Sequence, residues 1–414
     1  MKISIEGHDC LTQENMILIR VGSTTRWARS ESDIDAPFSW HDCIVQWNMY
    51  PGSCPDNVLC TSPVSCDEYQ CTEVRTSYSY TSPYCPRVEN TTTSPGGFCT
   101  CSVNVRNPVN WPCNQVLLNY DTFFVNTSNG RNPVPGFYDA SPNAACAPSS
   151  SFESFPANVT GVMAFSSSPY VFPVSLDQPP LKRTCSLCFP STTAAPGILF
   201  YGNGPYYLLP HSDVDVRTLL SYTPLLKHPD SFGTDIYNHL VRRFSMVTKL
   251  LTPATPVAPF GLCFSTFTNG TKVNLKVPDI EFNLQDGKKW AISTANSMKQ
   301  VTQDVACLAF VDGGATSEYS IVIGTFQFED NFLLFDLENS SFGFSSSLLP
   351  KQTSCANFNF TMGSGELAIE PVQPSFVGQT FLQYWACLRT LVVNLLIIII
   401  TNGSGIPSHK FKFS

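Results

Sequence analysis

Between positions 321 and 346 the chain reads IVIGTFQFEDNFLLFDLENSSFGFSS, and its apolar positions fall in three short runs. The first closes on Gly324, the second passes through Phe332, Leu333, Leu334 and Phe335 to Asp336, and the third runs through Phe342, Gly343 and Phe344. Polar Glu338, Asn339, Ser340 and Ser341 separate the last two. Runs this short, rich in aromatic and branched residues and bounded by turn formers, predict β-structure throughout and no helix. The same pattern predicts strands at 184–189, 198–202 and 222–225. Over 277–284 apolar and polar residues alternate like a half-buried strand, and the Gln285-Asp286-Gly287-Lys288 turn leads into another at Trp290. One stretch differs. Across 235–250, Ile236, Leu240, Phe244 and Val247 recur at helical spacing, with His239, Arg242 and Arg243 turned outward as a solvated face. The pattern as a whole predicts an all-β chain, mainly strand with few short helices.

Length and composition bound that picture. A chain of 414 residues is too long for one ordinary core and suits two lobes of roughly 150 to 200 residues each. Only 14% of residues are charged, and the net charge of −8 argues for solubility. No basic patch interleaved with aromatics suggests a nucleic-acid groove. Of 17 cysteines, twelve lie from Cys43 to Cys188 without zinc-type spacing, and only His41 stands near them, so the reading is disulfides and no metal or other cofactor. The ten from Cys43 to Cys146 form an even set consistent with five bridges, whose pairing the sequence leaves open, in a segment stapled rather than deeply packed. Cys185 and Cys188 have redox-motif spacing but sit in a strand pattern, which predicts one structural cysteine plus one extra.

Seven Asn-x-Ser/Thr triplets, starting at Asn90, Asn126, Asn158, Asn269, Asn339, Asn359 and Asn402, agree with an oxidising, secretory setting. Residues 1–30 lack the net-basic start and long apolar core of a signal peptide, so the expectation is a natural start further upstream. Residues 381–400 are apolar, but Gln383, Arg389 and Asn394 interrupt them, with Arg389 near the middle at roughly 3 kcal/mol, so a membrane span is not expected. The run 397–400 has the β-branched character of an aggregation-prone strand.

The 321–346 stretch resembles the closing sheet of the pepsin-like aspartic peptidases. A second resemblance runs from Asp33 through Ile34, Asp35, Ala36, Pro37, Phe38 and Ser39 to Trp40, which has the length and aromatic endpoint of that family's catalytic stretch. There Asp-Thr-Gly-Ser supplies one carboxylate of a pair that shares a proton and activates a water, Gly lets the loop turn, and the hydroxyls hydrogen-bond the carboxylates. Here Ile34, Asp35 and Ala36 replace Thr, Gly and Ser, so Asp33 is the degenerate first-lobe position, without its support and with Asp35 as a nearby like charge. No second catalytic Asp is visible. Related chains carry a long run after Thr-Pro-Leu-Leu that includes it, whereas here 227–231 passes directly to 232–235, and Asp235 begins the helix instead. One carboxylate cannot reproduce the shared-proton pair.

Further landmarks narrow the resemblance to a plant subgroup. They are Ala145-Cys146-Ala147-Pro148, Gly161-Val162-Met163-Ala164, Leu187-Cys188-Phe189-Pro190, Gly202-Asn203-Gly204-Pro205 and Ala258-Pro259-Phe260-Gly261-Leu262-Cys263-Phe264. They look like the basic 7S globulins, extracellular dermal glycoproteins and cereal xylanase inhibitors. The resemblance implies a bilobal pepsin-like fold, bridges Cys43 to Cys146, Cys188 to Cys355 and Cys263 to Cys307, and an extracellular or cell-wall protein generally without proteolytic activity. It implies a secreted glycoside hydrolase as partner. The limits read this way are an unmatched segment 1–31, a disulfide-rich first lobe 32–180, a second lobe 181–361 incomplete near 231–232, and an unmatched tail 362–414. Two functions follow as expectations: an inactive binder or inhibitor of microbial cell-wall glycosidases, or a defence or storage globulin; and, on the fold and Asp33 alone, an aspartic endopeptidase working at acid pH. A lectin-like binder is compatible with the aromatics but has no motif of its own.

Overall fold

The computed structural model describes residues 17–21, 27–33, 39–45, 60–76, 85, 88, 92–93, 97, 99–107, 112–121, 123–140, 143–155, 159–164, 184–192, 195, 197–224, 233–268, 270–284, 287–312, 323–361 and 412–413. Residues 225–232, 313–322 and 381–400 lie outside them, as do residues 34–38, so the expected gap near 231–232 and the apolar run of the tail are not described. Among the described residues no helix is long and apolar enough to cross a membrane.

The fold is mainly β, as the short apolar runs predict, and it is the bilobal pepsin-like architecture. Among the described residues the first lobe is built on an eleven-stranded sheet, with Thr92–Thr93 and Cys99–Thr100 paired separately. Its centre runs in the order Ile17–Val21, Trp27–Asp33, Gly161–Ala164, Trp40–Asp42, Asn143–Ala147 and Cys113–Tyr120. The sheet therefore reaches further toward the N-terminus than Ser32, because Ile17–Val21 and Trp27–Asp33 pair antiparallel within it. On one side of the centre the hairpin of Phe123–Ser128 and Pro133–Ala140 extends the sheet.

The cysteine-dense segment packs more deeply than expected. Val64, Cys71, Val74, Cys101, Val103, Val116 and Leu118 are buried in one cluster with Trp40 and Phe152. Bridges Cys66–Cys99, Cys71–Cys101 and Cys85–Cys113 cross this segment. Small valines placed on alternate strand positions, as in Ser102–Arg106, supply a core that cysteine counting does not reveal.

In the second lobe a five-stranded sheet has the order Ile198–Tyr201, Thr184–Cys188, Phe332–Asp336, Ser341–Phe344 and Ser221–Pro224. Thr184–Cys188 and Phe332–Asp336 are buried or nearly so along their whole length, which is why they read as continuous apolar runs. The 277–284 alternation is realised: Val277, Ile280, Phe282 and Leu284 are buried, and Ile280–Asn283 pairs with Lys289–Ile292. Trp290 stacks on Phe328 at 5.1 Å and 15°.

Two expectations here need correction. Residues Thr325–Phe328 form a helical turn and not a strand, because Gln327 folds its side chain back to accept from the Gly324 N–H at 3.1 Å and donates to the Ala309 carbonyl at 2.8 Å. The predicted helix spans Gly233–Val247, and its buried stripe is Leu240 and Phe244, continued by Thr248 in the turn just past its end, while Val247 is 45% exposed. His239, Arg242 and Arg243 do face solvent.

All three bridges implied by the resemblance are present: Cys43–Cys146, Cys188–Cys355 and Cys263–Cys307. Cys185 is the extra cysteine, free and buried in the strand. A shared cluster of buried residues joins Cys43, Ala144, Cys146 and Met163 of the first lobe to Leu187, Leu240, Phe264, Phe335 and their neighbours in the second.

Candidate functional site

The sheet order places the Asp33 stretch at the middle of the first lobe. Asp33 is the last residue of its strand, and its partner in a parallel pairing is Ala164. On the other side of Gly161–Ala164 lies Trp40–Asp42, paired antiparallel through Gly161 with His41 and Val162 with Trp40. The chain thus leaves one flank of a single inserted strand at Asp33 and returns on the other flank at Trp40. The backbone of Asp33 stands at the mouth of this loop, and its side chain lies outside the description. Asp235 sits in the first turn of the helix Gly233–Val247, as the sequence suggests. The stretch 225–232, where the resemblance leads one to look for a second-lobe carboxylate and the sequence shows none, lies outside the described residues.

What the structure does describe is the support beneath the loop. Ser39 is buried, accepts the Ala164 N–H on Oγ at 3.0 Å, and donates toward Met163 Sδ at 3.6 Å. This hydroxyl ties the returning limb to the inserted strand. Trp40 is buried between Phe152 at 4.9 Å and Phe155 at 5.8 Å, so the aromatic endpoint read from the sequence is an anchor.

His41 is turned to the opposite side and buried, with Nε2 on the Asp121 carboxylate and Nδ1 3.1 Å from the Asp42 carbonyl. Burial works against its charge, but the Asp121 charge and hydrogen bond, helped by the Asp42 carbonyl, outweigh it and raise the imidazole above its usual value. When protonated the ring donates at both nitrogens, to the Asp121 carboxylate and to the Asp42 carbonyl, and so ties its strand in place. Its neighbour Cys43 is bridged to Cys146.

Asn119 extends the buried polar layer by donating to Thr61 Oγ1 at 2.5 Å, and Thr61 Oγ1 lies 3.8 Å from Cys43 Sγ. At the rim, Ser149 donates to the Asp42 carboxylate at 2.9 Å. Sequence reasoning identified Asp33 and Trp40 from their spacing but missed Asp121 and Ser39. Asp121 follows a strand in an ordinary Asn-Tyr-Asp context, and its pairing with His41 spans 80 residues, so no local signal announces it.

Comparison with known proteins now decides the family. A family model described as "Xylanase inhibitor N-terminal" matches residues 16–203, and one described as "Xylanase inhibitor C-terminal" matches residues 222–346. The chain belongs to the xylanase-inhibitor family of pepsin-like proteins. Gamma conglutin 1 of Prunus dulcis is 34% identical over 326 residues, covering 68% of this chain and 74% of that protein. A probable aspartic proteinase GIP2 of Nicotiana benthamiana is 32% identical over 323 residues, covering 63% of this chain and 73% of that one. Among solved structures, edgp superposes with a TM-score of 0.70 at 25% identity, over 87% of this chain and 98% of its own. The match to the N-terminal half of this family begins at residue 16, in step with the strand Ile17–Val21.

Proposed function

We propose that this xylanase-inhibitor-family protein is a secreted, catalytically inactive pepsin-like protein that binds and inhibits a microbial cell-wall glycoside hydrolase of the xylanase or xyloglucan hydrolase class, or acts as a defence or storage globulin. The observation that carries the loss of catalysis is the Asp33 loop. It reads Asp-Ile-Asp-Ala where the peptidases need Asp-Thr-Gly-Ser, and neither Asp-Thr-Gly nor Asp-Ser-Gly occurs anywhere in the 414 residues. A lone carboxylate has no partner with which to share a proton, so the pepsin route to an activated water is closed. The two family-model matches support the inhibitory half of the reading, and the bridged first lobe supports an oxidising compartment.

The test is to titrate the purified full chain into fungal xylanases and xyloglucan hydrolases while following hydrolysis. The expected outcome is saturable loss of activity at one inhibitor per enzyme for at least one class; activity untouched across the panel at high molar excess overturns the inhibitory reading.

A second reading, an aspartic endopeptidase, is favoured by the relative described as a probable aspartic proteinase. It requires cleavage of an unfolded protein substrate at acid pH that Asp33→Asn abolishes. Our expectation is that wild type and Asp33→Asn are equally inert between about pH 3 and pH 6.

A further inference from the structure

Asn339 is one of two sequon asparagines whose side chains the structure describes, the other being Asn359. The two differ in setting. Asn359 is half-buried and lies between Phe358 and Phe360, whose rings meet edge to face at 4.9 Å. Asn339 stands at the tip of the hairpin that joins Phe332–Asp336 to Ser341–Phe344, where the ladder closes on the pair Asp336 and Ser341. Glu338, Asn339 and Ser340 are all exposed there.

The tip is nevertheless well defined. The Asp336 carboxylate accepts from the Asn339 backbone N–H at 2.9 Å on one oxygen and from Asn339 Nδ2 at 2.7 Å on the other. Ser340 then takes the left-handed conformation with φ 48°, which reverses the chain so that Ser341 re-enters the sheet. That bond to Asp336 uses only one of the two hydrogens on Nδ2. A substituent on the remaining position keeps the amide planar, leaves the bond to Asp336 in place, and projects from an exposed turn without displacing any buried atom.

From this geometry, and resting on the secretory reading above, we propose that Asn339 is an N-glycosylation site of this protein. The step balances with a lipid-linked oligosaccharyl pyrophosphate as the donor. The bond from the sugar anomeric carbon to the pyrophosphate oxygen breaks, a bond from that carbon to Asn339 Nδ2 forms, one Nδ2 proton is lost, and the lipid pyrophosphate leaves. Ser341 supplies the hydroxyl that the triplet requires two positions on. Because its backbone lies in the sheet, the folded protein fixes the distance between the sugar root and the first strand pair.

The experiment uses the full chain secreted from a plant cell host. Tryptic peptides of the wild type are treated with peptide N-glycosidase in 18O water, which marks each formerly glycosylated asparagine as a heavy aspartate. The expected result is a heavy label at position 339. Ser341→Ala should remove one glycan mass while leaving Asn339 itself in place, and Ser341→Thr should keep it. Because occupancy is read on wild type as well, poor secretion of a variant does not rescue the proposal. Asn339 unlabelled while another sequon is labelled overturns this site and leaves secretion standing. No label on any of the seven overturns both.

Discussion

His41 shows at the scale of one residue how a buried charge sets a pH profile. Burial by itself would favour the neutral ring, and the Asp121 carboxylate more than compensates, so the folded protein holds the proton more tightly than the unfolded chain does. An unfolded histidine titrates near about 6.5. The stabilisation is therefore fully present below about pH 6.5 and is lost as pH rises through the raised native value. Asp121→Asn strands the imidazolium in the core and should lower stability by about 3 to 5 kcal/mol at about pH 5. The difference from wild type should narrow steadily from about pH 6.5 upward. Urea unfolding across this range reads it, and a difference that stayed constant with pH would mean that His41 is neutral in the fold. None of this was legible in the sequence. His41 stood out only as a possible companion to the cysteines, and a partner 80 positions away leaves no spacing to read.

At the scale of elements the sequence was far more informative, and its failures have local causes. The strands Thr184–Cys188, Phe332–Asp336 and Ser341–Phe344 follow the apolar runs closely. The 325–328 turn was misread because Thr-Phe-Gln-Phe has β-type composition, and what decides against a strand is the Gln327 side chain reaching back to Gly324. On the helix Gly233–Val247 the period was right and the last contact wrong. Val247 and Thr248 are adjacent, and apolarity favours the valine, yet Thr248 is the buried one because its hydroxyl donates to the Phe244 carbonyl at 2.8 Å and so enters the core satisfied. Two substitutions separate these alternatives. Phe244→Ala should lose about 3 to 5 kcal/mol, whereas Val247→Lys should stay within about 0.5 kcal/mol of wild type. Equal losses by denaturant unfolding would put Val247 back on the core face.

For the whole molecule the bilobal plan was readable from length, landmarks and the three implied bridges, but the way one lobe grips the other was not. The turn after Phe123–Ser128 reaches the second lobe, where Gly130 accepts the Tyr207 N–H at 2.8 Å, Arg131 lies 4.4 Å from the centre of the Tyr207 ring, and Arg131 Nε donates to the Ser212 carbonyl at 2.9 Å. A Cβ on Gly130 would sit 1.8 Å from the Pro205 carbonyl oxygen, and φ of +83° disfavours any other residue. Gly130→Ala should therefore push the turn off the second lobe. Calorimetry is expected to show the single wild-type transition split or broadened, with Arg131→Ala giving a smaller effect in the same direction; an unchanged profile for Gly130→Ala would mean the lobes are coupled by the shared core alone. Within the second lobe, Cys188–Cys355 closes a loop of 167 residues, and replacing both with serine should remove about 5 kcal/mol on the chain-entropy estimate.

Cys185 lies three positions before one end of that bridge, and burial pushes its thiol up to about 12. A thiol attacks a disulfide only as thiolate. So long as the second-lobe sheet stays closed, Cys185 and the Cys188–Cys355 linkage are held on its opposite faces, Cys185 packing with Leu187 in one cluster and Cys188 with Cys355 in another. Opening the sheet by heat or denaturant restores an ordinary thiol that can reach that linkage, and the molecule then records its own unfolding in covalent form. In native protein Cys185 should resist maleimide for as long as that sheet remains shut, and protein heated without a thiol trap should return with exchanged bridges, so that the time spent open, and not the final temperature, sets how much of it refolds.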